Sequence, residues 1–130
     1  MSTQPADDAA VLVERTAGLT AVLGAFVMVS TAVFTITDTL GIHNVLAGAL
    51  VALLASVHAY RTGEQRSPSV VLAAVLTLLG IWIAAAPYVI DSSQALATGI
   101  NGLAGVFIAI LSLVGVYGSV RTSSASATGT

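Results

Sequence analysis

Side chains able to do chemistry are scarce in this sequence. Its 130 residues hold six acids, four cations (all arginine), two histidines and no cysteine. Asp38, His43 and Asp91 form the one grouping whose residue types could bind a metal or relay a proton. They lack the close spacing of a metal motif, and Asp38 reads more simply as a helix cap. Without cysteine there is neither a disulfide framework nor thiolate ligation. No GxSxG, no HExxH and no glycine-rich phosphate loop is present. The expectation is a non-enzymatic chain with no catalytic residue, no metal ligand and no cofactor. The polar candidates left are the only two asparagines, Asn44 and Asn101.

The elements that carry them are apolar and long. The chain is 56% hydrophobic and 8% charged, with a mean hydropathy of +0.97. A soluble domain is about a quarter charged, so there is too little polar surface here to solvate a globule. Four stretches carry no charge: residues 16–37, 39–60, 67–90 and 92–120. About 20 helical residues cross a hydrocarbon core of about 30 Å, so each stretch suffices for one crossing and none for two. The expected fold class is therefore all-α, an integral membrane four-helix bundle in a lipid bilayer. Helices are expected from about Thr16 to Ile36, Ile42 to Tyr60, Ser67-Pro68 to Ile90, and Ala97 to Val120. Ser67 would be the N-cap of the third helix and Pro68 its first residue. Residues 1–15 form an N-terminal tail, 16–64 and 65–121 two transmembrane hairpins, and 122–130 a Ser/Thr/Ala/Gly-rich tail expected to be disordered. Asp7, Asp8 and Glu14 precede the first apolar run, where a secretory signal would be basic.

The arginines set an orientation. Arg15, Arg61, Arg66 and Arg121 fall on one side of a four-span chain, while the opposite connections carry only Asp38 and Asp91. The positive-inside rule then makes both termini and the central connection cytoplasmic. Tyr60, Tyr88 and Tyr117 fall at helix ends, where amphipathic rings favour the interface. His58, beside Tyr60 and Arg61, reads as another interfacial residue. With no basic patch and a net charge of −2, nucleic acid is not an expected partner.

The two asparagines open the same phrase. Asn44, Leu46, Ala47, Gly48 and Ala52 recur as Asn101, Leu103, Ala104, Gly105 and Ala109. Upstream, Gly24 and Phe26 answer Gly80 and Trp82, and Ser30-Thr31-Ala32 answers Ala86-Pro87-Tyr88. Each unit is a helical hairpin that returns to its starting side, so two copies would run parallel about a pseudo-two-fold axis along the membrane normal. Within each phrase Asn, Gly and Ala are spaced by four and share a helix face. That face reads as a stripe where backbones approach closely and asparagine hydrogen-bonds across helices. Pro87 removes the N–H that would bond the Ile83 carbonyl. Trp82, matched to Phe26, is expected to pack at the hairpin interface.

These residues resemble the SPW-repeat family of small membrane proteins. The second unit supplies Gly80-Ile-Trp82, Ala86-Pro87-Tyr88, Asn101 and Gly105, and the first supplies Gly24-Ala-Phe26, Ser30-Thr31-Ala32, Asn44 and Gly48. The name-giving triplet is degenerate in both units, keeping Ser30 in one and Pro87 in the other. The resemblance implies an integral membrane protein without an established activity.

No charge falls in the middle of any expected helix, and proton or ion pathways usually need one. The leading expectation is thus a structural or accessory protein acting by helix packing. Its partners would be lipid, a second copy or another membrane protein, with Gly48, Gly99, Gly102, Gly105, Gly115 and Gly118 as close-approach surface. The alternative is an oligomeric channel or transporter for a small solute.

Overall fold

The computed structural model describes residues 4–63, 68–90 and 94–128. They form four α-helices and, among the described residues, no strand: α1 Gln4–Val33, α2 Thr39–Gly63, α3 Val70–Val89 and α4 Ala95–Thr128.

Local chemistry sets the helix ends. At the end of α1, Ile36 N–H bonds the Thr31 carbonyl at 2.9 Å, closing the helix around Thr35 at φ +54°. This is the six-to-one closure usually given to glycine, and a β-branched threonine is strained there. α2 therefore starts earlier than expected, at Thr39. Asp38 is its N-cap, and its Oδ1 accepts the Gly41 N–H at 3.2 Å. α3 also starts differently from the expectation. Ser69, not Ser67, is the N-cap, because its Oγ accepts the Leu72 N–H at 3.1 Å; Pro68 precedes it, and Ser67 lies outside the described residues.

Two helices outrun the bilayer. α1 has 30 residues and α4 has 34, or about 45 and 51 Å at 1.5 Å per residue, against a core of about 30 Å. The described parts of both expected tails are therefore helical. A helix already nucleated extends at little cost, and alanine favours it. The extensions also pack: Gly118 of α4 faces Val13 and Ala9 of α1, and the Thr122 hydroxyl donates to the Gly118 carbonyl at 2.8 Å. Residues 129 and 130 lie outside the described chain.

α1 packs extensively on α2 and on α4, and α3 on α4, while α2 and α3 touch least of the four neighbouring pairs. Facing residues show antiparallel neighbours, with Gly24 against Gly48, Gly80 against Gly105 and Thr16 near Gly115. Both terminal extensions thus emerge at one end of the bundle, here the basal end. The α1–α2 and α3–α4 connections lie at the other, the distal end.

Polarity is inverted relative to a soluble protein. Asn44, Asn101, Thr20, Ser30, His58 and Ser119 are buried, in a core of Val27, Val51, Ala55, Leu76, Ile83 and Ile108. Leu19, Val22, Leu46, Leu53, Leu78 and Leu103 each expose more than half their surface. Such continuous apolar cover is unsupportable in water and suits lipid.

Candidate functional site

The site lies on a stripe of α2. Asn44, Gly48, Val51, Ala55, His58 and Thr62 are all buried at spacings of three or four, which a helix places on one face. Asn44 and Asn101 are fully buried and meet across the diagonal from α2 to α4. Asn44 Nδ2 donates to Asn101 Oδ1 at 2.7 Å, and Asn101 Nδ2 donates back to Asn44 Oδ1 at 2.9 Å. The second Asn101 N–H donates to the Ile83 carbonyl at 3.1 Å. That carbonyl is the one Pro87 frees, since proline offers no N–H four residues on. A polar pair in an apolar core is tolerable only when its groups are partnered, and this pair also supplies the partner of the carbonyl that Pro87 leaves free.

The network extends sideways toward α3. Trp82 Nε1 lies 2.6 Å from His43 Nε2, and His43 Nδ1 lies 3.3 Å from Asn44 Oδ1. Indole only donates, so Nε2 must accept; neutral His43 then carries its proton on Nδ1 and donates to Asn44. The two rings meet edge-on, with centroids 5.7 Å apart and planes at 69°. Hydrogen bonds therefore run from Trp82 on α3, through His43 and Asn44 on α2 and Asn101 on α4, back to Ile83 on α3.

Below the asparagines, glycine brings backbones together. A Cβ added to Gly24 would lie 2.7 Å from Ala52 N, and one on Gly80 would lie 2.6 Å from Ala109 N. A Cβ on Gly48 would meet Gly24 O at 2.6 Å, and one on Gly105 would meet Gly80 O at 2.6 Å. No other residue fits at these four positions without moving a helix, because the obstructing atoms are backbone. Gly48 and Gly105 are thus taken up inside the chain, which corrects their assignment to a self-association surface. Gly115 and Gly118 also face α1 or α3, whereas Gly99 and Gly102 meet nothing within 4 Å.

Other expected residues fall out differently. Trp82 is 39% exposed and Phe26 47%, so both sit at the bundle's rim rather than inside a packed interface. Trp82 turns its N–H inward to His43, while Phe26, which has no donor, shows its ring to the surroundings. Asp38 is a helix cap, His43 belongs to the network, and Asp91 lies outside the described residues. Among the described residues, no three His, Asp or Glu side chains gather as a metal site. Tyr60, Tyr88 and Tyr117 are exposed, as interfacial rings should be.

His58 is the main correction. It is only 2% exposed, and both ring nitrogens lack a partner. The signal was in the spacing: His58 follows Ala55 by three and precedes Thr62 by four, on the Asn44 stripe. Closeness to Tyr60 and Arg61 gives depth in the membrane but not the side of the helix. The His43–Trp82 bond had no comparable signal, because the matched positions Phe26 and Ile100 could not form it.

Four helices of spanning length, apolar outside and polar within, define a multi-pass helical membrane protein. Residues 14–115 match the SPW repeat domain, and the chain belongs to that family. No curated protein and no solved structure matches it.

Proposed function

We propose that this protein is a non-enzymatic membrane component, structural or accessory to a larger assembly, that acts through its helix packing. One observation carries the reading: the asparagines and their described polar neighbours at the distal end are bonded to one another. Asn44, Asn101, His43, Trp82 and the Ile83 carbonyl form one network, and Asp38 caps a helix. A reactive centre needs a group turned toward substrate, and these are turned toward each other.

The matching contacts of Gly24 with Gly48 and Gly80 with Gly105 support two parallel hairpins built as copies of one packing unit. Association with a second copy or another membrane protein would then use the lipid-facing side, where Gly99 and Gly102 leave open space. The arginine distribution supports cytoplasmic termini. Cysteines placed singly at Ser67 and Ser92 should label from opposite sides of intact cells, Ser67 from the cytoplasm. Labelling of both from one side refutes the topology.

The functional reading is tested by extraction in native lipid discs followed by mass measurement. Assemblies heavier than one chain, redistributed by bulky substitution at Gly99 and Gly102, are the expected result. A strictly monomeric particle that carries solute across liposomes overturns it. A solute path within one chain would have to pass the Asn44–Asn101 pair, so flux abolished or altered by Asn44→Leu and Asn101→Leu would favour the transporter alternative.

A further inference from the structure

Toward the basal end, all four helices line a small cavity. α1 contributes Thr16 and Thr20, α2 His58, α3 Ala73, and α4 Ser112 and Gly115. Its volume is about 10 Å³, the space that one water needs. Two of the lining residues carry buried polar atoms without a hydrogen-bond partner: His58 Nδ1, His58 Nε2 and Ser112 Oγ. His58 is 2% exposed and Ser112 is 4% exposed, so bulk solvent does not reach them.

Thr16 and Thr20 face the same space with their hydrogens already committed. Thr16 Oγ1 bonds the Leu12 carbonyl at 3.0 Å and the Val13 carbonyl at 3.1 Å, and Thr20 Oγ1 bonds the Thr16 carbonyl at 2.8 Å. Each hydroxyl keeps a lone pair that can still accept. The residues around the cavity therefore carry a donor at Ser112, acceptors at two threonines, and an imidazole with one donating and one accepting nitrogen, within reach of a water by side-chain rotation.

We propose that this cavity is a binding site for one ordered water, held by a ring nitrogen of His58 and the Ser112 hydroxyl. Water is the ligand whose size and chemistry match. It accepts from Ser112 Oγ–H and donates to His58 or to a threonine oxygen, reaching the two to four partners that buried waters make. An apolar occupant would leave all three atoms unpartnered, and an ion would find no opposite charge on the wall. Such a site gives the SPW fold a second polar layer, separated from the asparagine pair by the Val51, Leu76 and Ile108 core.

Gly115 provides the test. A Cβ there would lie 3.7 Å from Ala73 Cβ and 3.9 Å from Thr16 Oγ1, both ordinary contacts. Gly115→Ala should therefore fold normally, yet it takes room from a cavity with none to spare. Full-length protein in bilayers, labelled with ¹⁵N-histidine, is compared with Gly115→Ala by water-to-protein magnetisation transfer, using His43→Gln to assign the two rings. The expected result is a water contact at the His58 ring in the unsubstituted protein, lost in Gly115→Ala. Gly99→Ala, which meets nothing within 4 Å, should keep the contact. No water contact in the unsubstituted protein overturns the proposal, as does a contact that survives in well-folded Gly115→Ala. Should Gly115→Ala fail to fold, Ser112→Ala replaces it: a weakened His58 contact sustains the proposal and an unchanged one refutes it.

Discussion

Replacing Asn101 by leucine removes a side chain of similar size and all of its hydrogen bonds. Three are lost: the reciprocal pair with Asn44 at 2.7 and 2.9 Å, and the bond to the Ile83 carbonyl at 3.1 Å. Interhelical hydrogen bonds in membranes average about 0.6 kcal/mol, so the direct loss is about 2 kcal/mol. Asn101→Leu also strands the Ile83 carbonyl, because Pro87 cannot take it back, and raises the expected cost to about 3 kcal/mol. Asn44→Leu loses the same reciprocal pair and the longer His43 contact at 3.3 Å, but leaves Ile83 with its partner. Its cost should be lower, about 2 kcal/mol. Both variants remove the two shared bonds, so the double variant should fall short of additivity by about 1 kcal/mol. Unfolding in mixed micelles, followed by circular dichroism as denaturing detergent is titrated, measures all four proteins. Strict additivity, or Asn44→Leu costing more than Asn101→Leu, would refute the network as described.

Other outcomes follow from the same structure. Gly48→Ala and Gly105→Ala should each cost about 1–3 kcal/mol in that titration, because the new methyl meets backbone; Gly99→Ala should be neutral or gain up to about 1 kcal/mol of helix propensity. Trp82 is the sole tryptophan, so its emission reports directly on His43. His43→Phe removes the Nε2 that accepts the indole N–H. Trp82 fluorescence should therefore differ between His43→Phe and the unsubstituted protein, and identical emission would contradict the bond. Thr35→Gly should stabilise the protein by about 1 kcal/mol or less, the relief of left-handed strain outweighing glycine's entropy; a loss of stability would contradict the helix-end geometry.

How much of this was legible in the sequence depended on the range of the interaction. Spanning length and charge exclusion are local properties, and they gave four helices and their apolar exterior. The recurring phrase marked Asn44 and Asn101, Gly48 and Gly105, because a repeated spacing survives folding unchanged. Pro87 announced a freed carbonyl, but its partner on α4 depends on how two hairpins dock. The glycine faces were equally visible, and only the packed bundle distinguishes contact within one chain from contact between chains. The start of α3 differs because two serines, Ser67 and Ser69, flank Pro68 and either could serve as the cap. The burial of His58 depends on its helix face, which its neighbours Tyr60 and Arg61 do not report.

The unequal contacts between helices have a mechanical consequence. α1 and α4 run together along the molecule like the spine of a book, and interlocked glycine backbones bind each cover, α2 to α1 and α3 to α4. Across the fore-edge, where α2 meets α3 least, the Trp82–His43 hydrogen bond acts as a clasp. Backbone interlocks resist sliding and parting alike, whereas a hydrogen bond releases within a fraction of an ångström of stretch. Lateral strain from a thinning bilayer or a neighbouring protein would therefore open the molecule along this one edge.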